Sequence, residues 1–570
     1  MSSLQTSFIT AAVCVLAAVI VHYVLRPGMI KNIPSRPMLP ILGHAHELIR
    51  HMYYHETVSD YFVDSFVKPL GPLSQFMKSA YEPVLIVADK RLNDQILNSK
   101  DWDRGALMQG IFGGVTPKGM LAIKTDSMLR LHRRALAPSM SPAFISISAD
   151  VFAIHMARLM SLWKVKLQLA SECKFGAGEQ IADVFWDAEG DLHMLTTDAI
   201  SQIVFGESFD QLPREIQLFS ESPSGTFLKL EDLNRKPGSK GQSEIAGYMD
   251  VIFHSLSSGI APGLKHAIQR LKPSYQRAFG GFRRWLTGRV DESRKKIKNG
   301  GEIAEITCVI DVILAKEAKA GVGSVLPEDE LWDELGTFMV AGEETTSTTM
   351  CWILKFLSEN PHVQSRLHEE MTRSLPSSDE RNPNYDDIVG NGVCDYLEAV
   401  VYESLRHGET VRAVGRQSIR ETTVTGPDGQ EHLIPAGVNA MCLLNTSCAV
   451  YSDDPKLGWR SDKNDIHRFN PDRWLRPDGT FDKDAGPMLS FAAGPRACFG
   501  LKMALVFLRL FTAQLVMAFA LAPLSSQHST EDSRAVLTRR PTKNWVGVRT
   551  WSNELKNGGF DEGCDVKRTV

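Results

Sequence analysis

The chain is 570 residues long, 43% hydrophobic and 23% charged, an ordinary globular composition with enough length for a large buried core. Its formal net charge of −4 argues against a general nucleic-acid binder. Nine cysteines at irregular spacing (Cys14, Cys173, Cys308, Cys351, Cys394, Cys442, Cys448, Cys498, Cys564) form neither a disulfide framework nor a CxxC pair, which fits a reducing compartment.

From Phe8 to Leu25 the chain reads FITAAVCVLAAVIVHYVL without a formal charge, and Arg26, Lys31 and Arg36 follow. This predicts a single membrane anchor over residues 1–27 with its basic flank on the cytosolic side. The rival reading is a cleaved secretory signal, but no Lys or Arg precedes the apolar run. Pro34, Pro37 and Pro40 stiffen a hinge over residues 28–43. Beyond it there is no internal repeat and no second linker, so residues 44–551 read as one large domain. The Gly-, Asp-, Glu- and Lys-rich tail, 552–570, reads as disordered.

Within the domain helical patterns dominate, and strand-like runs such as PVLIVA (Pro83 to Ala88) and HLIPAGVNAMCLL (His432 to Leu444) are the minority. Gly/Ser/Lys-rich stretches around Ser222 to Ser243 and Lys295 to Gly301 predict exposed loops. FGAG at Phe175 to Gly178 lacks the further glycine of a dinucleotide fingerprint, so no flavin or nicotinamide site is assigned.

Pro327 followed by Glu328, Asp329 and Glu330 predicts the start of a helix that runs to about Asn360. Its middle, AGEETT, places Gly, acids and hydroxyls where a core-crossing helix would carry bulky side chains. Thr337, Ala341 and Thr345 share one face there, which leaves room and a proton-donating hydroxyl. A solvated face with a chance Thr cluster is the competing reading. Further on, YESLR puts Glu403 and Arg406 on one helical face, and FNPDRWL carries Arg473. Alone, an i, i+3 pair is a common surface feature contributing about 0.2–0.5 kcal/mol.

FAAGPRACFG, Phe491 to Gly500, frames Cys498 with glycines and Arg496. A tight glycine turn running into a helix aims backbone N–H groups at one point, a good way to hold a thiolate. The apolar run after it, Leu501 to Leu521, contains Arg509 and reads as a helix buried inside the protein. As a second span it would place that charge near mid-membrane at ~2.5–3.5 kcal/mol.

In this order, the long helix with AGEETT, ExxR at Glu403 to Arg406, FNPDRW at Phe469 to Trp474 and FxxGxRxCxG at Phe491 to Gly500 resemble the cytochrome P-450 superfamily of haem-thiolate monooxygenases. The resemblance covers nearly the whole chain. It implies a mainly α fold, an α-helical haem domain with a small β region, preceded by one N-terminal transmembrane helix. It implies haem b (iron protoporphyrin IX), with Cys498 as axial iron ligand, Gly494 in the turn whose N–H groups face the sulfur, and Phe491 beside it. Arg496, Arg133 (in LRLHRRALAP, with Leu129 where many relatives have Trp) and Arg416 match propionate-binding arginines. Glu344 and Thr345 match the acid–alcohol pair that relays protons to dioxygen. Glu403, Arg406 and Arg473 match a buried structural ion cluster.

One departure is Glu409, where the family usually has proline: either the local turn before the substrate-lining strand differs, or Glu409 and Arg412 instead read a polar substituent on the substrate. The implied activity is insertion of one oxygen atom into a lipophilic terpenoid, polyketide or alkaloid of secondary metabolism. NADPH electrons would arrive through a separate cytochrome P-450 reductase. The implied location is the endoplasmic reticulum membrane, single-pass, with the catalytic domain cytosolic and no nucleic-acid partner. The features most resemble fungal members. The alternatives are a reductase-independent haem-thiolate isomerase or dehydratase, and a non-catalytic membrane haem sensor or lipid carrier.

Overall fold

The computed structural model describes residues 28–55, 57–172, 185–221, 243–253, 262–300, 305–320, 326–375, 383–389, 394–445, 466–530, 532–535 and 538–551. The expected membrane anchor, the tail expected to be disordered, FGAG and nearly all of the loop expected around residues 222–243 lie outside the described residues. The architecture is mainly helical with small sheets, as expected. The chain forms two compact units with interleaved segments. The first is drawn from the described residues of Met1–Ala106, Arg412–Asp454 and Ala492–Ala497, and the second from those of Leu107–Val411, Pro455–Phe491 and Cys498–Val570.

The first unit is built on the strands β1 (Leu73–Met77), β2 (Pro83–Val87), β3 (Trp102–Asp103), β4 (Ala413–Ser418), β5 (Thr422–Thr425), β6 (Glu431–Ile434) and β7 (Asn439–Leu443). Five of them form a sheet in the order β1-β2-β7-β4-β3, with β2 and β7 parallel and the other pairs antiparallel. The continuous apolar run in β2 is explained by its place inside this sheet, where Leu85, Ile86 and Val87 are fully buried. The strand-like run from His432 to Leu444 divides at Gly437, whose φ of 87° suits glycine, into β6 of a separate hairpin and β7 of the sheet. Tyr61, Phe62, Phe66 and Phe76 pack edge to face beside the sheet, Phe62 and Phe76 at 5.3 Å between centroids. The Pro-rich hinge is bound to β1: Gln75 accepts from the Ile30 N–H at 2.9 Å and donates to the Ile30 carbonyl at 2.9 Å.

The second unit carries the helices that matter for function: α1 (Ser127–Leu136), α2 (Glu189–Phe205), α3 (Glu328–Glu359), α4 (Asp395–Gly408) and α5 (Leu501–Ala518). Helix α3 starts right after Pro327 with its three acids in the first turn, and runs 32 residues to Asn360, close to the expected limits. It packs against α2, α4 and α5. Gly342 serves that packing, because a Cβ there would stand 3.2 Å from the Ile200 side chain of α2. Helix α5 is a core helix, as expected, and Arg509 within it donates to Glu398 of α4 at 2.8 Å. The expected loop at Lys295 to Gly301 is corrected: the helix Pro273–Gly300 continues through it. Leu286, Val290 and Ile297 form its buried stripe, and the Lys-rich stretch is the solvated face of the same helix.

Candidate functional site

The cysteine turn is shaped by its glycines. Gly494 takes a φ of 72°, and a Cβ there would lie 2.1 Å from the Leu97 carbonyl oxygen, so no side chain fits. A short 3-10 turn, Gly494–Arg496, follows, closed by the Ala497 N–H donating to the Gly494 carbonyl at 3.0 Å. The Cys498 N–H donates to the Phe491 carbonyl at 3.0 Å, and this is the contact Phe491 makes with the cysteine. Helix α5 then begins after Gly500.

Cys498 is exposed, whereas Cys308, Cys351, Cys394 and Cys442 are buried. Its sulfur is reachable from outside yet flanked by enough protein to lose solvation, which pushes the thiol up, while the Gly500 N–H and Arg133 act the other way. Arg133, on α1, lies with its guanidinium 5.7 Å from the Phe499 ring centroid. Partial burial lowers its pKa and Cys498 raises it. Thus α1 and the start of α5 bring a cation and a peptide N–H to one sulfur.

In the first unit, Arg416 and Arg496 come together with Arg104, which sequence reasoning missed. Arg416 is 4% exposed and the Arg496 side chain 5%. Asp103 stands 3.5 Å from Arg496. Burial, then repulsion from Arg496 and Arg416, lowers the Arg104 pKa, with Asp103 opposing. Buried cations that repel one another are stabilised by an anionic group placed among them. Taken separately, the soft, N–H-bonded sulfur of the second unit is a donor suited to haem iron, and the buried guanidiniums of the first are donors suited to carboxylates such as those of a porphyrin.

Glu403, Arg406 and Arg473 meet in one buried cluster. Arg406 donates to both Glu403 oxygens at 2.8 Å, and Arg473 donates through Nε at 3.0 Å. Two further donors were not legible in the motif: the Trp474 indole N–H and the Asn470 backbone N–H, each at 2.9 Å. Burial alone would raise the Glu403 pKa, but the two guanidiniums and the Asn470 N–H bring it down to about 2.

At the centre of α3 the Thr345 hydroxyl donates to the Ala341 carbonyl at 2.6 Å. The Glu344 carboxylate accepts from Thr538 at 2.6 Å and is paired with Arg540, which also donates to Glu189 at 2.7 Å. Burial would raise the Glu344 pKa, but Arg540, His193 and Thr538 lower it, so the carboxylate is an ionised acceptor. Its neighbour Glu343 pairs with His193 of α2. At the end of α4, Glu409 has a φ of 47°, a conformation closed to proline, so the turn does depart from the family's usual residue. Arg412 pairs with Asp60 in the first unit.

The family model described as cytochrome P-450 matches residues 33–546. A cytochrome P-450 monooxygenase of Pestalotiopsis microspora is 26% identical over 560 residues, spanning 91% of this chain and 94% of its own length. Another, of Fusarium sporotrichioides, is 25% identical over 611 residues, spanning 95% and 98%. A ganoderic acid synthetase of Ganoderma lucidum is 24% identical over 558 residues, spanning 91% and 92%.

Proposed function

The chain belongs to the cytochrome P-450 family, and from that premise we propose that Cys498 is the axial thiolate of its haem b in a monooxygenase acting on a lipophilic terpenoid, polyketide or alkaloid. The family makes it a haem-dependent oxidoreductase with fungal relatives. The observation that carries the ligand assignment is the exposed Cys498 sulfur with the Gly500 N–H and Arg133 upon it. The carbon monoxide spectrum of reduced Cys498→Ala protein tests it. Arg133, Arg416 and Arg496 are the proposed propionate cations, with Gly494 keeping the turn tight and Phe491 bracing it through its carbonyl. Bound haem iron would supply the binding and activation of dioxygen.

The chain's own part is to manage protons and exclude wasteful reaction. The Thr345 hydroxyl is the proposed proton donor, and Glu344, ionised at rest and held by Arg540, is the proposed relay: it takes up a proton from solvent and then passes it on to replace the one Thr345 gives up. Thr345→Ala is therefore expected to keep haem and substrate binding while product per NADPH consumed falls severalfold and hydrogen peroxide rises. Both quantities are measured at the same substrate saturation, and an unchanged ratio removes Thr345 from the chemistry. Thr345→Ser, which restores the hydroxyl, should recover most of the ratio.

Electrons are proposed to come from NADPH through a separate cytochrome P-450 reductase docking near the cysteine. Arg130 and Arg134 of α1 and Lys502 of α5 are exposed and form a basic surface on a chain of net charge −4. Charge reversal at Arg134 or Lys502 is expected to slow the first electron transfer at low salt, with the difference fading as salt rises, because such patches act within ~8–10 Å. Stopped-flow reduction across a salt series reads this directly. The segment 1–27 is the proposed single-pass anchor in the endoplasmic reticulum membrane, with 28–43 as hinge and 44–551 as the cytosolic haem domain. Exposed Leu39, Ile41 and Leu42 in the hinge support a membrane-proximal position.

A further inference from the structure

His132, one residue before Arg133, is fully buried between two carboxylates of α3. Its Nδ1 lies 2.5 Å from Glu334 and its Nε2 3.0 Å from Glu330. Glu330 and Glu334 are one helical turn apart, so the ring is gripped at two levels of α3. A neutral imidazole has one N–H and can satisfy only one of these acceptors as a donor, whereas the imidazolium satisfies both.

We propose that His132 is a positioning residue for the haem-thiolate centre: clamped through both ring nitrogens to Glu330 and Glu334, it fixes α1 on α3 and so fixes Arg133 beside Phe499 and the Cys498 sulfur. Helix α1 is only ten residues long, and neighbouring residues on it point about 100° apart. Holding His132 toward α3 therefore sets the direction in which Arg133 leaves the helix. Leu129, three residues earlier and so on the same face of α1, is buried like His132. A well-packed apolar contact here would hold the helices together about as firmly. What the ionic clamp adds is a fixed rotation, because two hydrogen bonds from one ring to two turns leave α1 a single register.

The surroundings support a charged clamp. Burial alone would make His132 neutral, but Glu334 and Glu330 override it and hold its pKa above the ordinary histidine value. Burial raises the Glu334 pKa against the pull of His132 and the Met120 N–H. The loop before α1 contributes Lys118, whose N–H donates to Asp333 at 2.7 Å and whose ammonium pairs with Asp329. Arg283, from Pro273–Gly300, stands 3.9 Å from Asp333. Lys316, from the helix Val309–Ala320, reaches the Arg134 carbonyl on the outer side of α1. These cations are thus directed to neighbouring acceptors, with His132 in the grip of Glu330 and Glu334.

The inference rests on Cys498 being the iron ligand, and the test separates the two ideas. The red-shifted band of the reduced carbon monoxide complex is followed in holoenzyme at one fixed neutral pH, and the rate at which it decays is measured. With α1 free to turn, Arg133 no longer keeps its place beside Phe499 and the sulfur, so His132→Gln is expected to speed loss of the band severalfold. Arg133→Gln should do the same, and adding His132→Gln to Arg133→Gln should speed it little further. An unchanged rate in His132→Gln, or an equal further acceleration in the double variant, overturns the proposal. If His132→Gln does not retain haem, Glu330→Gln, which alters the partner with a 10% exposed side chain, is read the same way. A smaller acceleration is expected there, and an unmoved rate again overturns the proposal. Absence of the band in the wild-type protein would instead sink the assignment of Cys498.

Discussion

Cys498→Ala protein is expected to fold, to lose the red-shifted band of the reduced carbon monoxide complex, and to form no measurable hydroxylated product. Folding should survive because Cys498 is exposed, so the change removes one sulfur without opening a core cavity. The loss of activity should exceed the ~10–100-fold cost of deleting an outer partner of a metal site, since the ligand itself is gone. If Cys498→Ala kept the band, the iron would have to be held by another thiolate, and the described alternatives are poorly suited to that. Burial pushes the Cys442 thiol up to about 12 and raises the Cys351 thiol well above its ordinary value. Cys498 alone among the described free cysteines is exposed and has both a peptide N–H and a guanidinium acting on its sulfur. The experiment therefore reads one residue with little room for substitution by a neighbour.

The elements that could be read from the sequence are those whose signals are local. The limits of α3 follow from Pro327, three acids and Asn360, and the structure starts and ends the helix next to them. Arg509 marks α5 as a core helix because a lone cation in an apolar run needs a buried partner, and Glu398 provides it. The Lys295 to Gly301 stretch was misread because a lysine-rich solvated helix face has the composition of a loop. The deciding signal was the buried stripe that runs from Leu286 and Val290 upstream to Ile297 within the stretch itself. In the site, FxxGxRxCxG and ExxR were legible as spacing. What spacing does not carry is partnership across long separations in sequence. His132 meets Glu334 across 202 positions, and Arg540 meets Glu344 across 196. Arg104 joins Arg416 and Arg496 through the folding of distant strands. The ionised, arginine-held state of Glu344 could therefore be found only in the fold.

Glu403→Gln is expected to destabilise the holoprotein by about 3–5 kcal/mol, because it leaves the Arg406 and Arg473 guanidiniums buried beside a neutral amide. Seen only as an i, i+3 pair, Glu403 and Arg406 would contribute a few tenths of that. Burial changes the scale: the Glu403 and Arg473 side chains are fully enclosed and that of Arg406 is 2% exposed. Glutamine keeps the shape but no longer offers two anionic oxygens to five N–H contacts from Arg406, Arg473, Trp474 and Asn470. Denaturant unfolding, followed by tryptophan emission and by the haem band, measures the loss. Glu369→Gln is the control, since its pair with Arg373 is exposed and should contribute less than ~1 kcal/mol. The pH dependence has a definite sign. The folded Glu403 pKa lies at about 2, below its unfolded value, so its contribution is complete above the unfolded pKa of ~4.3 and is lost as pH falls from there toward 2. Wild-type stability should decline over that acid window more steeply than that of Glu403→Gln, and the two curves should converge near its lower end. Parallel curves would mean that the charge on Glu403 is not what holds the cluster, and that packing around Trp474 and Asn470 supplies the stability instead.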